Sequence, residues 1–178
     1  MNVAVMKTKA EQAIAENFEA VAEKLPGSAA VKARRSQAIG AFSGLGLPHR
    51  RVEEWKYTDL RVNVKDVLPS AINDATPLTI AELLGALGPL AHVDAHRVVF
   101  VNGHYRADLG DFSDAVGAMV APLGELLSGA SEDVIAPMIS TPEGGDAVET
   151  LNTAFMTDGA VVTIEGGASL AKPLLLVF

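Results

Sequence analysis

His92, Asp94 and His96 alternate along a short stretch of chain, and in extended backbone alternate side chains share one face. Two imidazoles and a carboxylate so placed could bind a divalent metal and serve a small metal-dependent enzyme. The trio stands just before a turn signal, where polar residues ordinarily fill a connection, so neither a metal ligand nor a catalytic residue is assigned from it. A Ser-His-Asp hydrolase has no Gly-x-Ser-x-Gly elbow here, and His49 and His104 have no evident triad partners. Phosphate-binding loops of the Gly-x-Gly-x-x-Gly and Gly-Lys-Ser/Thr kinds are absent, and Gly44 and Gly46 fall at a helix end and not after a strand.

Arg50 to Arg61 is different in kind. Arg50, Arg51, Lys56 and Arg61 mix with Glu53, Glu54 and Asp59 around Trp55, the only tryptophan, and Tyr57. Aromatics ringed by both signs of charge occur at interface anchors and also where a short segment is fastened to a core by stacking and ion pairs. The structural role is the expectation for Trp55.

The chain must supply a frame to hold that segment. Its 178 residues, 49% hydrophobic and 20% charged, suit a compact folded domain with a small appendage. With no cysteine, disulfides and thiolate ligation of zinc or of an iron-sulfur cluster are excluded for this chain. No stretch reaches the ~20 apolar residues of a membrane span, and Glu11, Glu16, Glu19 and Glu23 break any signal-peptide core, which leads to an expected cytoplasmic location. Residues 1–65 hold 11 Lys/Arg against 7 Asp/Glu, and residues 66–178 hold 3 against 15, so a front of +4 precedes a body of −12. An acidic body disfavours nucleic acid as a partner.

Ile14, Phe18, Val21, Ala22 and Leu25 mark one face of a helix that Pro26-Gly27 ends. Ser28 caps a second helix with the stripe Val31, Ala38, Ile39 and Phe42, and the two together suggest an αα-hairpin. Val62 and Val64 alternate as in a short strand that stops near Pro69. Thr79 and Glu82 form a capping-box pattern ahead of Ile80, Leu83, Leu84 and Leu87. Residues 97–106, with Asn102-Gly103 at the turn, read as a β-hairpin. Between Gly110 and Gly145 a strand or loop and one or two helical turns are expected, then a helix over 147–155 and strands over 160–164 and 174–178.

The run Pro173 to Phe178 is apolar, β-prone and uncharged, and so would leave an open strand edge. More chain is expected to follow it, as in the first coil of a stacked β architecture; an ordinary terminal strand within a sheet is the simpler alternative. The expected fold class is therefore α+β: an amino-terminal helical hairpin, a small region containing a β-hairpin, then the first strands of a right-handed parallel β-helix. The corresponding divisions are 1–65, 66–148 and 149–178.

Leu47-Pro48-His49-Arg50-Arg51-Val52-Glu53-Glu54-Trp55-Lys56-Tyr57-Thr58-Asp59-Leu60 resembles, in type and order, the signature near the start of SufD proteins in the SufB/SufD family. Leu151 to Gly159 is similar to the stretch that leads into that family's β-helix. The resemblance implies a non-catalytic scaffold of iron-sulfur cluster assembly that acts with the related SufB and the ATPase SufC. It implies no cofactor bound by this chain, the iron-sulfur cluster belonging to the full complex, and it places the main partner contacts in later parts of longer family members. A metal-dependent enzyme using His92, Asp94 and His96 and a stand-alone interaction module are the rival readings.

Overall fold

The computed structural model describes residues 7–70, 76–112, 115–139 and 146–178. It is a mixed α+β structure of two compact units.

Residues 1–72 and 127–156 make up the first unit. Helix α1 (Lys9–Val21) starts at Thr8, whose hydroxyl accepts the Glu11 N–H while the Glu11 carboxylate accepts the Thr8 N–H, a reciprocal cap that satisfies two otherwise unpaired donors. Ser28 caps α2 (Ala29–Leu45), and Asp146 caps α7 (Ala147–Phe155) by accepting the Val148 N–H. Both helices of the expected amino-terminal pair are present, but α2 packs chiefly on α7. Phe18, Val21, Leu25, Ala38 and Ala154 form one buried cluster, in which Phe18 meets Phe155 edge-on at 5.6 Å; Ala10, Ile14, Phe42, Leu47 and Ala147 form another.

The α2 stripe carries a residue that its apolar pattern passes over. Arg35 lies one turn from Val31 and Ala38 on the same face and is only 1% exposed. Its Nη1 donates to the Ala154 carbonyl at 3.0 Å and its Nη2 to the Pro26 carbonyl at 2.7 Å, which places a cation at the carbonyl end of α7. Burial pulls this guanidinium down to about 10, so it remains charged at neutral pH.

One local expectation is corrected. Val62 and Val64 do not start a strand, because Leu60–Asn63 is a single helical turn, α3, begun by Asp59, whose carboxylate accepts the Val62 N–H at 3.2 Å. Apolar residues two apart fit either conformation over so short a run, and the cap decides it.

Residues 73–126 and 157–178 make up the second unit. Helix α4 (Ile80–Leu87) has the Thr79–Glu82 capping box. Strand β1 (His96–Val101) is central in the order β2-β1-β5, antiparallel to β2 (His104–Tyr105) and parallel to β5 (Leu174–Val177). Asn102 and Gly103 both have positive φ, 48° and 83°, as the tight turn of the hairpin demands. A separate antiparallel pair joins β3 (Ala118–Pro122) to β4 (Ala160–Ile164). The carboxylate of Asp158 accepts the N–H groups of Tyr105, Gly124 and Gly159, and Leu83, Val99 and Leu109 centre the core. Helix α5 (Leu123–Gly129) carries the chain from the second unit into the first, where the short α6 (Glu132–Ile135) follows.

Two glycines of α2 predict opposite responses to alanine. Gly46 closes the helix at φ 71° and ψ 179°, a region open essentially to glycine alone, and an added Cβ would lie 2.7 Å from the Glu11 carboxylate. Gly40 is exposed in mid-helix with nothing within 4 Å of such a Cβ. Gly46→Ala should lose about 1–3 kcal/mol in urea unfolding, whereas Gly40→Ala should gain about 0.5–1 kcal/mol.

Candidate functional site

Residues 48–60 leave the end of α2 and return to it as one loop. Its neck is closed by the Leu60 N–H, which donates to the Pro48 carbonyl at 3.0 Å. Inside, the N–H of Val52 donates to His49, that of Trp55 to Val52 and that of Thr58 to Trp55, so a 3-10 turn at Glu53–Trp55 is held by the loop's own backbone. The His49 Nδ1 accepts the Arg51 N–H at 3.1 Å, and Asp59 both caps α3 and accepts the Arg50 N–H.

Two carboxylates outside the loop fix it to the helices. Asp146 accepts the indole N–H of the half-buried Trp55 with one oxygen and the Val148 N–H with the other. Glu11, 4% exposed, accepts the Leu47 N–H at 2.7 Å and the Thr8 N–H at 2.6 Å and lies 3.4 Å from the Arg61 guanidinium. Burial pushes this carboxyl up, but the N–H groups of Thr8 and Leu47, the Thr8 hydroxyl and the Arg61 charge outweigh it and hold the group below the ordinary 4.5.

With those anchors in place, Arg50, Arg51, Glu53, Glu54, Lys56 and Tyr57 face solvent. Tyr57 is 92% exposed and lies under the Lys56 ammonium at 5.4 Å, while Lys56 also pairs with Glu53 at 2.7 Å. Trp55 has the structural role expected of it, fastening the loop to the start of α7, and its neighbours are exposed.

The histidine trio is dispersed. His92 ends a 3-10 turn and not an extended segment, so the alternating register assumed for the three does not extend back to it. Asp94 is exposed and pairs with Lys172 at 3.1 Å, and His96 is buried in β1, edge-on to Phe112 at 5.5 Å. Among the described residues no three His, Cys, Asp or Glu side chains gather as a metal-binding group, and no helix is long and apolar enough to cross a membrane. His104 lies on β2 opposite Val101.

Glu11, Asp146 and Asp158 escaped assignment to any site. Thr8-x-x-Glu11 carried a capping-box pattern that could have marked Glu11; for Asp146, a residue 91 positions from Trp55, no local pattern names the partner.

A mixed α+β chain whose helical first unit holds a pinned, solvent-facing loop is the class of structure these elements define. The chain belongs to the SufBD family: residues 8–176 match the model for the SufBD protein N-terminal region. It is also similar to the iron-sulfur cluster assembly SufBD family protein of Synechocystis, with 31% identity over 147 residues that cover 82% of this chain and 31% of that protein. The chain thus spans about a third of that relative's length.

The two anchors make measurable claims. Trp55→Phe, which keeps a ring but deletes the indole N–H, should cost about 1–2 kcal/mol in urea unfolding. Asp146→Ala should cost more, because α7 also loses its cap, and the double variant should lose less than the sum of the two. Because the Glu11 carboxyl is depressed in the folded state, its stabilising contribution is complete above the ordinary 4.5 and disappears as pH falls through the folded value. The stability gap between the native protein and Glu11→Gln, measured by urea midpoints, should therefore be constant near neutrality and shrink on acidification below 4.5.

Proposed function

We propose that this protein is a non-catalytic scaffold subunit of SufD type in the SUF system of iron-sulfur cluster assembly, acting in the cytoplasm with SufB and the SufC ATPase. The family match across residues 8–176, which takes in the whole pinned loop, carries the reading. The cluster is cargo of the full complex: a chain without cysteine has no thiolate to offer it, and this one would contribute shape and contact surface.

The edge position of β5 among the described residues supports a further element of the proposal, that these strands belong to a right-handed parallel β-helix. β5 runs parallel to β1 and is an edge of its sheet, with Leu176 and Phe178 exposed, as suits a strand that another layer covers. The contacts with SufB and SufC would then lie mainly in that β-helix.

Expression of the full-length tagged protein with SufB and SufC from its own organism, followed by size-exclusion chromatography, should return the three in one peak. Separate elution of the tagged protein under conditions where SufB and SufC still associate would refute the assignment.

A further inference from the structure

Beside the pinned loop lies a cavity of about 360 Å3 whose lining includes Trp55, Glu54, Asp146, Leu45, Val52 and Ala147. Its lining carries two carboxylates and no Lys or Arg. Asp146 already serves the Trp55 indole and the Val148 N–H, whereas Glu54 makes no hydrogen bond or ion pair among the described residues. Aliphatic walls, an indole and a free carboxylate suit a guest that joins a methylene stem to a terminal cation. An anion would be repelled, and a purely apolar guest would leave Glu54 unanswered.

We infer that this cavity receives an arginine side chain of a partner polypeptide, its stem against Leu45 and Val52 and its guanidinium between Trp55 and Glu54. Arginine fits better than lysine because its planar, weakly hydrated head can lie on an indole and meet a carboxylate at once. A polypeptide is favoured over a free small molecule because Leu45 and Val52 line the cavity yet stay exposed, at 52% and 37%, which gives a guest more apolar rim than one side chain covers. Arg50 and Arg51 are exposed in the same loop and have no ion-pair partner among the described residues, so an acidic residue beside the incoming arginine answers their charge. The inference concerns this loop alone and holds whether or not SufB and SufC are the partners.

Trp55, the only tryptophan, reports the cavity directly. Titration of the protein with the peptide acetyl-Glu-Arg-Leu-amide should produce a saturable change in tryptophan emission, and the same peptide with citrulline in place of arginine should not. Glu54→Gln, at an exposed position, should keep the native circular dichroism and weaken binding about threefold. Absence of saturation, an equal response to the citrulline peptide, or unchanged affinity in Glu54→Gln would each overturn the assignment. Free arginine amide binding as tightly as the peptide would overturn the polypeptide guest.

Discussion

The two ends of the loop are held by one buried carboxylate meeting its donors. Glu11 is at once the cap of α1, the acceptor for the first buried residue after α2 and the counter-ion of the residue that follows the loop. Three stretches of chain thereby converge on two oxygen atoms. A carboxylate this deeply buried is tolerable only because its oxygens are answered by N–H groups and a guanidinium, and removing any one of them leaves the rest of the charge poorly solvated. The tight bend at Gly46 belongs to the same arrangement, since a side chain there would occupy the space the carboxylate needs.

Local chemistry was legible in the amino-acid order, and distant pairing was not. The Thr79–Glu82 cap, the Ser28 cap and the Asn102-Gly103 turn each act within a few residues, and each is found where its pattern stands. Val62 and Val64 misled because two apolar residues in a run of four cannot separate a strand from a helical turn, and the deciding group, Asp59, lay outside the pattern. Arg35 was overlooked for the opposite reason: a charge on an apolar stripe reads as a residue facing water, yet the carbonyl end of α7 gives it acceptors inside the core. In the candidate site the structural role of Trp55 followed from its type and surroundings, but the identity of its anchor, Asp146, depends on how the chain folds back.

The contacts of its side chains divide the loop and its flanks into two groups. Leu47, Pro48, Trp55, Asp59 and Arg61 have duties within the domain, as burial, neck, anchor, cap and ion pair. Arg50, Arg51, Glu54 and Tyr57 have no comparable internal duty, so the frame presents them without needing them. That separation lets the outer face of the loop change its chemistry at little expense to the fold.

The bond from Arg35 to Ala154 joins positions 119 apart in sequence, and α2 has its chief partner in α7. On a ribosome the amino-terminal helices therefore emerge long before the element that buries them. At the usual pace of synthesis that interval is roughly 6 to 24 seconds, during which an apolar face and an arginine lacking one of its carbonyl acceptors are open to water. The first unit thus cannot close until α7 has emerged, and newly made chains present that face to chaperones, or to one another, while the intervening residues are being translated.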